Sequence, residues 1–293
     1  SQGSTMFLSP GEQVSVENLL HGIVTLSGND ACVTLGEGLA GTDENFVALM
    51  NKTAQKLGMK GSRFANTNGW PDPNEMVTAR DLATVAAATI RDFPDLYKKF
   101  YGQPSFTWGK TLGDGAAITQ ANRNPILGRV AGADGLKTGH TEDAGYGFTG
   151  SAVQDGRRLV MVLAGLSSFN ERISASVAFM EWGFNAFGRK LLLKPGQVVG
   201  TAKVWMGEDA EVPLTAATDL KVTVPRGAAN AVKAKIVYQG PVTAPIAKGA
   251  KIAELVVSVP GFPDTRLPLV AANAVDKAGP FGRIAAAFRA LFL

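Results

Sequence analysis

Two short motifs carry the residue types that acyl-transfer chemistry requires. Ser27-Gly28-Asn29 combines a hydroxyl with an amide, and Lys137-Thr138-Gly139 combines a cation with a second hydroxyl. Acyl transfer by an active-site serine needs a nucleophile, a base, a proton source for the leaving group and anchors for the substrate. The two motifs therefore indicate the walls of an acyl-transfer site.

The residues of these motifs have chemical roles that follow from their types. Lys137 brings a fixed cation, which stabilises developing negative charge and shifts nearby proton affinities. Thr138 offers a hydroxyl to a substrate carboxylate, and Gly139 leaves room for an extended peptide to add to the strand. We expect Ser27 to relay a proton to the leaving nitrogen and Asn29 to hold a substrate carbonyl.

Each motif also has a simpler interpretation. Ser27-Gly28-Asn29 alone is typical of a helix-breaking turn with an N-cap, and Lys137-Thr138-Gly139 alone is typical of a solvated strand end. His140, which follows the lysine motif, has the alternative of an ordinary surface histidine. The order of the two motifs, with a β-hairpin directly after the lysine segment, favours the functional interpretation.

The elements that position these motifs are helices and one antiparallel hairpin. Apolar residues recur at helical spacing around Ser27-Gly28-Asn29 and again over residues 171–187. Two β-rich runs, residues 146–153 and 158–166, flank an Asp-Gly turn, and we expect the Lys137 segment to supply an adjacent third strand. Helices before and after an antiparallel hairpin predict an α+β domain.

Three segments follow from the change of pattern along the chain. The α+β domain is expected over residues 1–189. From residue 190 to 275, short runs rich in valine and isoleucine alternate with Pro and Gly turns, which predicts a small all-β domain. Residues 276–293 place their large apolar side chains on one helical face, which predicts an amphipathic helix.

Composition narrows the function further. The 293 residues contain one cysteine, Cys32, and two histidines, so we expect no metal site and no cofactor. Residues 1–189 hold 16 basic and 18 acidic residues, whereas residues 190–293 hold 13 and 7. Basic residues that are dispersed and lack interleaved aromatics argue against nucleic acid as a partner. A net positive C-terminal part instead favours an anionic membrane or cell-envelope surface.

The chain resembles a known family. The motifs that carry the resemblance include Phe7-Leu8-x-Pro10-Gly11, Ser27-Gly28-Asn29-Asp30-Ala31-Cys32, Thr78-Ala79-Arg80-Asp81-Leu82, Asn122-Arg123-Asn124, Gly135-Leu136-Lys137-Thr138-Gly139-His140-Thr141 and Glu181-Trp182-Gly183-Phe184. They are similar to those of the low-molecular-mass penicillin-binding proteins that act as serine-type D-alanyl-D-alanine carboxypeptidases. The resemblance covers essentially the whole chain.

The resemblance implies a transpeptidase/β-lactamase-like fold, followed by an all-β domain and a membrane-associating helix. It also implies removal of the terminal D-alanine from peptidoglycan stem pentapeptides through an acyl-enzyme, and acylation by β-lactam antibiotics. The expected location is the periplasm, with peripheral attachment to the inner membrane through residues 277–293.

By the same resemblance, Ser27, Asn29 and Lys137 are catalytic residues. Thr138, Gly139, His140, Arg123 and Arg172 bind substrate, with Arg172 near the terminal carboxylate. For both arginines a surface or interdomain ion pair is the simpler alternative.

The nucleophile departs from the family pattern. The family carries a Ser-x-x-Lys motif, and no serine of this sequence has lysine three positions later. We expect that motif in an N-terminal segment of the same protein that precedes Ser1. Two other classes stay open: a non-catalytic fragment that binds D-alanyl peptides, and a β-lactamase. The all-β domain, the basic tail and the lack of an evident Glu-x-x-x-Asn loop before Lys137 argue against the β-lactamase.

Overall fold

The structure is a computed structural model that describes residues 3–109, 116–282 and 284. The chain separates into two compact units, Ser1–Phe184 and Asn185–Leu293. The domain limits expected from the sequence stay a prediction.

Six α-helices are described. They are α1 (Val16–His21), α2 (Asn29–Ala40), α3 (Asp43–Leu57), α4 (Ala79–Asp92), α5 (Pro94–Phe100) and α6 (Phe169–Ala186). A π-helical turn, Gly22–Leu26, follows α1 directly. Polar side chains cap the N-termini of several of these helices: the Ser15 Oγ accepts from the Asn18 N–H at α1, and the Thr78 Oγ1 accepts from the Asp81 N–H at α4.

Thirteen strands lie in the described ranges. They are β1 (Ser105–Trp108), β2 (Ile118–Ala121), β3 (Ala133–Thr141), β4 (Gly145–Gln154), β5 (Arg157–Leu166), β6 (Phe187–Leu193), β7 (Gly200–Trp205), β8 (Glu211–Thr215), β9 (Leu220–Pro225), β10 (Lys233–Val237), β11 (Val242–Thr243), β12 (Lys251–Ser258) and β13 (Thr265–Ala271).

In the first unit, β3, β4 and β5 form an antiparallel sheet in that order, so the lysine motif lies on an edge strand of this sheet. The tight turn between β4 and β5 places Asp155 and Gly156 at positive φ, as an Asp-Gly hairpin requires. One face of the sheet packs on α6 through a buried apolar cluster. Its members are Ile126, Val130, Phe148, Ala152, Met161, Met180 and Phe184.

A second apolar cluster of this unit supports the serine motif. Met6, Leu19, Leu26 and Ala31 are its buried members, so α1, the π-helical turn and α2 share one core with the N-terminal segment. Met6 packs so closely on the helix that a Cβ at Gly22 would lie 1.9 Å from its sulfur. A side chain at position 22 would therefore require the Met6 side chain to move.

The second unit is almost entirely β. Six strands form one sheet in the order β10-β12-β13-β8-β7-β11, and β6 pairs with β9. Alternate residues point inward, as in β9, where Leu220, Val222 and Val224 are buried. This alternation is what the short valine-rich runs predict, and the expected all-β character is confirmed.

Some local expectations were wrong. Residue 187 begins β6 instead of ending the helix over 171–187, because α6 ends at Ala186. The strands β1, β8 and β11 were not predicted, and of these β11 has only two residues, too few to show a period of two.

The amphipathic tail over residues 276–293 lies largely outside the described residues. Within it, Phe281 and Ile284 are described, and they are 88% and 58% exposed. In the described ranges, no helix combines the length and the apolar character needed to cross a bilayer.

Candidate active site

The serine motif lies at the end of the π-helical turn. Ser27 adopts a left-handed conformation, with φ 60° and ψ 39°, and the Gly28 N–H donates to the Gly22 carbonyl at 3.0 Å. A non-glycine residue in this region costs about 1–2 kcal/mol, so the surrounding core must hold it. π-helical turns are common at functional sites. The turn breaks the helix direction at Ser27 and brings its hydroxyl toward β3.

Lys137 lies on β3 and meets Ser27 directly. Its Nζ donates to the Ser27 Oγ at 2.7 Å and to the Thr138 carbonyl at 3.0 Å. Lys137 is half-buried as a residue, and desolvation is the largest influence on its ammonium. The structure therefore joins the two sequence motifs into one cluster.

The surroundings of Lys137 disfavour its charge. Burial lowers the pKa of Lys137 to about 8, and the guanidinium groups of Arg123 and Arg172 lower it as well. The nearby Cys32 thiol acts in the opposite direction. Two further cations thus act on Lys137, which is an arrangement that a bound anion would stabilise.

Asn29 makes a contact that the sequence did not indicate. Its Nδ2 donates to the Ser4 carbonyl at 3.0 Å, and its backbone N–H donates to the same oxygen at 2.9 Å. The amide that we assign to a substrate carbonyl therefore holds a backbone carbonyl of this chain. The Asn29 side chain is in place beside Ser27, and a substrate carbonyl would have to compete with Ser4.

The rest of the lysine motif forms an open edge. Among the described residues, no heavy atom lies within 4 Å of the position that a Cβ of Gly139 would take. Thr138 follows Lys137 on this edge strand, where it is partly exposed. His140 is exposed and its ring lies tilted against that of Tyr146 on the neighbouring strand, with ring centroids 3.9 Å apart. An extended peptide has space to lie along this strand.

The two arginines differ in burial. Arg172 is only 3% exposed, donates to the Gly139 carbonyl at 3.2 Å, and has its guanidinium over the ring of Tyr146 at 5.2 Å. Burial lowers the pKa of Arg172, and its Nε has no hydrogen-bond partner among the described residues. Arg123 is exposed and donates to the hydroxyl of Ser4. In the described ranges neither arginine pairs with a carboxylate, so the simpler ion-pair interpretation lacks support there.

Sequence reasoning missed the role of Asp30. Its carboxylate accepts hydrogen bonds from the Thr5 hydroxyl at 2.6 Å, from the Met6 N–H at 2.9 Å and from the Leu8 N–H at 3.0 Å. Asp30 therefore fixes the N-terminal segment that carries Ser4 against the start of α2. The only signal in the sequence was its place next to Asn29, in the first turn of a helix.

Known proteins are similar to this chain in sequence and in fold. Residues 1–168 match the family described as D-alanyl-D-alanine carboxypeptidase, and residues 187–277 match the C-terminal domain of penicillin-binding protein 5. The chain belongs to the D-alanyl-D-alanine carboxypeptidase family. The predicted family is confirmed, and so is the predicted fold, an α+β transpeptidase-like domain followed by an all-β domain.

Individual members of this family are similar over most of the chain. D-alanyl-D-alanine carboxypeptidase DacC of Escherichia coli strain K12 is 37% identical over 283 residues, which are 96% of this chain and 69% of that protein. DacF of Bacillus subtilis strain 168 is 32% identical over 280 residues, covering 94% of this chain and 70% of its own length. A crystal structure of penicillin binding protein 5 from Haemophilus influenzae has a TM-score of 0.79 at 36% identity, and the match covers 94% of this chain and 79% of that one.

Proposed function

We propose that this protein removes the terminal D-alanine from peptidoglycan stem pentapeptides, with Ser27, Asn29 and Lys137 as catalytic residues. The observation that carries the proposal is the 2.7 Å contact between Lys137 Nζ and Ser27 Oγ in a cluster of cations. A preorganised charge at the reacting centre stabilises the negative charge that develops in acyl transfer.

The proposed reaction has two steps. A serine hydroxyl gives up its proton as its Oγ bonds to the carbonyl carbon of the penultimate D-alanine; the peptide C–N bond breaks, and that proton passes to the leaving amine. Water then cleaves the acyl-enzyme ester and releases the shortened peptide. Ser27 relays the proton to the leaving nitrogen, and Lys137 keeps the Ser27 hydroxyl oriented by donating to it.

In this proposal, the edge strand β3 and the two arginines, Arg123 and Arg172, bind the substrate. An extended stem peptide adds to β3 at Gly139, with Thr138 and His140 alongside it. The terminal carboxylate of the peptide is bound by Thr138 and by the cations Arg123 and Arg172, which lie close enough to Lys137 to lower its pKa. An anionic group at this point relieves the mutual repulsion of these cations.

We assign the nucleophile to a Ser-x-x-Lys segment that precedes Ser1 in the same protein. The chain spans about 70% of the length of the relatives above, and none of its serines has lysine three positions later. Thr25 supports this assignment, since its buried hydroxyl, two residues before Ser27, has no partner among the described residues. A polar neighbour from another segment would satisfy it.

We further propose a periplasmic location, with attachment to the inner-membrane surface through residues 277–293. The large apolar residues of this segment recur at helical spacing, and residues 190–293 carry 13 basic against 7 acidic residues. An amphipathic helix beside a net positive domain suits binding to an anionic leaflet.

One experiment separates the candidate functions. The full-length protein expressed from its gene is incubated with a fluorescent penicillin and, separately, with a peptide ending in D-alanyl-D-alanine. A stable covalent label together with released D-alanine supports the carboxypeptidase. Peptide binding with neither label nor release contradicts it in favour of the binding module, and rapid turnover of the penicillin contradicts it in favour of a β-lactamase.

A further inference from the structure

A cluster of polar side chains fixes the start of the strand that carries Lys137. Asp134, three residues before Lys137, accepts from the Tyr97 hydroxyl at 2.8 Å and from both terminal nitrogens of Arg158 at 2.9 and 3.0 Å. Arg158 also donates to the Ser151 hydroxyl at 2.9 Å. We call these four residues the Asp134 cluster. They join α5, β3, β4 and β5.

The contact with Asp134 is bidentate and reinforced. Two parallel N–H···O bonds between a guanidinium and a carboxylate fix direction as well as distance. The guanidinium carbon of Arg158 lies 5.4 Å from the ring centre of Tyr97, so the ring supports the same cation. Asp134 also lies where the β3–β4 register shifts, between Ala133 and Gly135. Asp134 has no paired residue on β4. Its side-chain hydrogen bonds hold the strand at this position instead.

Tyr97 touches β3 at three successive residues. Its hydroxyl donates to Asp134, its ring shares a buried apolar cluster with Leu136, and a Cβ at Gly135 would lie 2.2 Å from its oxygen. Tyr97 itself is only 4% exposed. A hydrogen bond and close packing at the same place leave the strand little freedom to slide.

Helix α5 also contacts the element that ends at Ser27. Tyr97, Phe100 and Tyr101 line an apolar cavity of about 180 Å³ together with Leu20 of α1 and Val24 of the π-helical turn. The ring centres of His21 and Phe100 lie 4.8 Å apart. One helix therefore packs on both sides of the site, against the strand of Lys137 and against the turn of Ser27.

We infer that Tyr97 and Asp134 are positioning residues for Lys137. Their hydrogen bond sets the start of β3 relative to α5, and this keeps the Lys137 ammonium within reach of the Ser27 hydroxyl. The inference rests on the proposed function for its effect on catalysis, whereas its effect on Lys137 itself does not depend on activity.

The decisive variant is Tyr97→Phe, which removes the hydroxyl and keeps the ring. Tyr101→Phe is the matched control, because Tyr101 is a partly buried tyrosine of the same region whose ring stacks on Tyr97 and whose hydroxyl is not a partner of Asp134. Asp134→Asn is the second variant, since it keeps the size of the side chain and removes its charge.

Two readouts distinguish positioning from general stability. The first is the rate constant for acylation of the full-length protein by a fluorescent penicillin, followed across pH. The second is the pKa of Lys137 in the chain described above, measured by NMR on protein with isotope-labelled lysine. The titratable groups that act on the Lys137 ammonium are Cys32, Arg123 and Arg172, and its hydrogen-bond partners are Ser27 and Thr138. None of these residues is altered in the variants.

We expect Tyr97→Phe to slow acylation roughly tenfold, which corresponds to about 1.4 kcal/mol and is close to the lower end of what a hydrogen bond to a charged group contributes to stability. We also expect the pKa of Lys137 to rise from about 8 toward its ordinary value, because water reaches a loosened ammonium. Where the charged lysine is required, the fall in rate at high pH then moves to higher pH. Tyr101→Phe should change neither quantity, and Asp134→Asn should change both.

Two results would overturn the inference. One is an unchanged acylation rate and an unchanged Lys137 pKa in Tyr97→Phe, and the other is an equal change in Tyr101→Phe. Failure of the proposed function shows differently: wild-type protein would not be acylated at all, and the Lys137 pKa in the variants would still decide the positioning role.

Discussion

The ammonium of Lys137 donates to the hydroxyl of Ser27 at 2.7 Å, across 110 residues of sequence. Lys137 stands on the edge strand of a sheet, and Ser27 stands at a left-handed break after a π-helical turn. Their meeting depends on the packing of the helices on the sheet, which is why several predictions concern the elements around them.

Lys137 should make the stability of the folded protein depend on pH. The pKa of Lys137 in the folded protein is about 8, below the ordinary lysine value. At a pH between these two values, Lys137 is protonated in the unfolded chain and deprotonated in the folded one. The free energy of unfolding of the wild type should therefore rise, relative to a Lys137→Met variant, as pH increases from about 8 to about 10. Thermal unfolding of both proteins across this range tests the sign. Lys99→Met, at an exposed ion pair with Glu17, is the control, and an equal pH trend in all three proteins would contradict the prediction.

Alanine variants of Ser27 and Asn29 should differ in which kinetic constant they change. Ser27→Ala removes the proposed proton relay, so kcat for a D-alanyl-D-alanine peptide should fall with little change in KM. Asn29→Ala removes a substrate anchor and one of the two hydrogen bonds to the Ser4 carbonyl, so binding should weaken more than turnover. Steady-state kinetics on the full-length protein measure both. If the two variants keep wild-type kinetics, the serine motif is only a turn.

Asp30 should stabilise the site at neutral pH. Burial alone raises its pKa, but hydrogen bonds from Thr5, Leu8, Met6 and Ala31 outweigh burial and leave the pKa below its ordinary value. The stabilisation is therefore present at neutral pH and is lost as pH falls through the folded pKa. Asp30→Asn should lower the free energy of unfolding by about 1–3 kcal/mol near neutral pH, because donors lose a charged acceptor.

Chemical denaturation near pH 7 and in acid measures this effect. The matched control is Asp209→Asn, an exposed aspartate of the second unit, which should change stability little. Asp30→Asn protein with an unchanged unfolding midpoint at both pH values would show that the carboxylate contacts contribute nothing.

Deletion of residues 277–293 should release the protein from membranes. Burying the apolar face of such a helix contributes several kcal/mol at roughly 25 cal/mol per Å², enough for reversible binding. We expect co-sedimentation with anionic liposomes to be lost, while activity on soluble peptides is kept. Double substitution of Arg283 and Arg289 by glutamine should weaken binding less than the deletion does. Binding that survives the deletion would favour a helix that docks on its own protein.

Much of the fold could be predicted because its signals are local. The Asp-Gly turn between β4 and β5 and the cap at Ser15 are each set by a few adjacent residues. Short strands such as β11 were missed because two residues carry no period.

The two motifs of the site could be predicted from the sequence, whereas the residues that hold these motifs in place could not. Asp30 accepts hydrogen bonds from residues up to 25 positions away, and Asp134 from residues up to 37 positions away. No local sequence pattern predicts such pairs. The Asn29 side-chain amide donates to the backbone carbonyl of Ser4. Because every residue has a backbone carbonyl, the residue type at position 4 could not predict this contact.

The most direct test of the account is acylation of the full-length protein by a fluorescent penicillin, compared between wild type, Lys137→Ala and Lys99→Ala. Removal of a preorganised charge of this kind costs a few kcal/mol in the transition state. We predict that Lys137→Ala is labelled orders of magnitude more slowly than wild type, while Lys99→Ala is labelled at the wild-type rate and all three proteins stay folded. Equal labelling of Lys137→Ala and wild type would contradict the central claim that Lys137 and Ser27 form part of the acyl-transfer site.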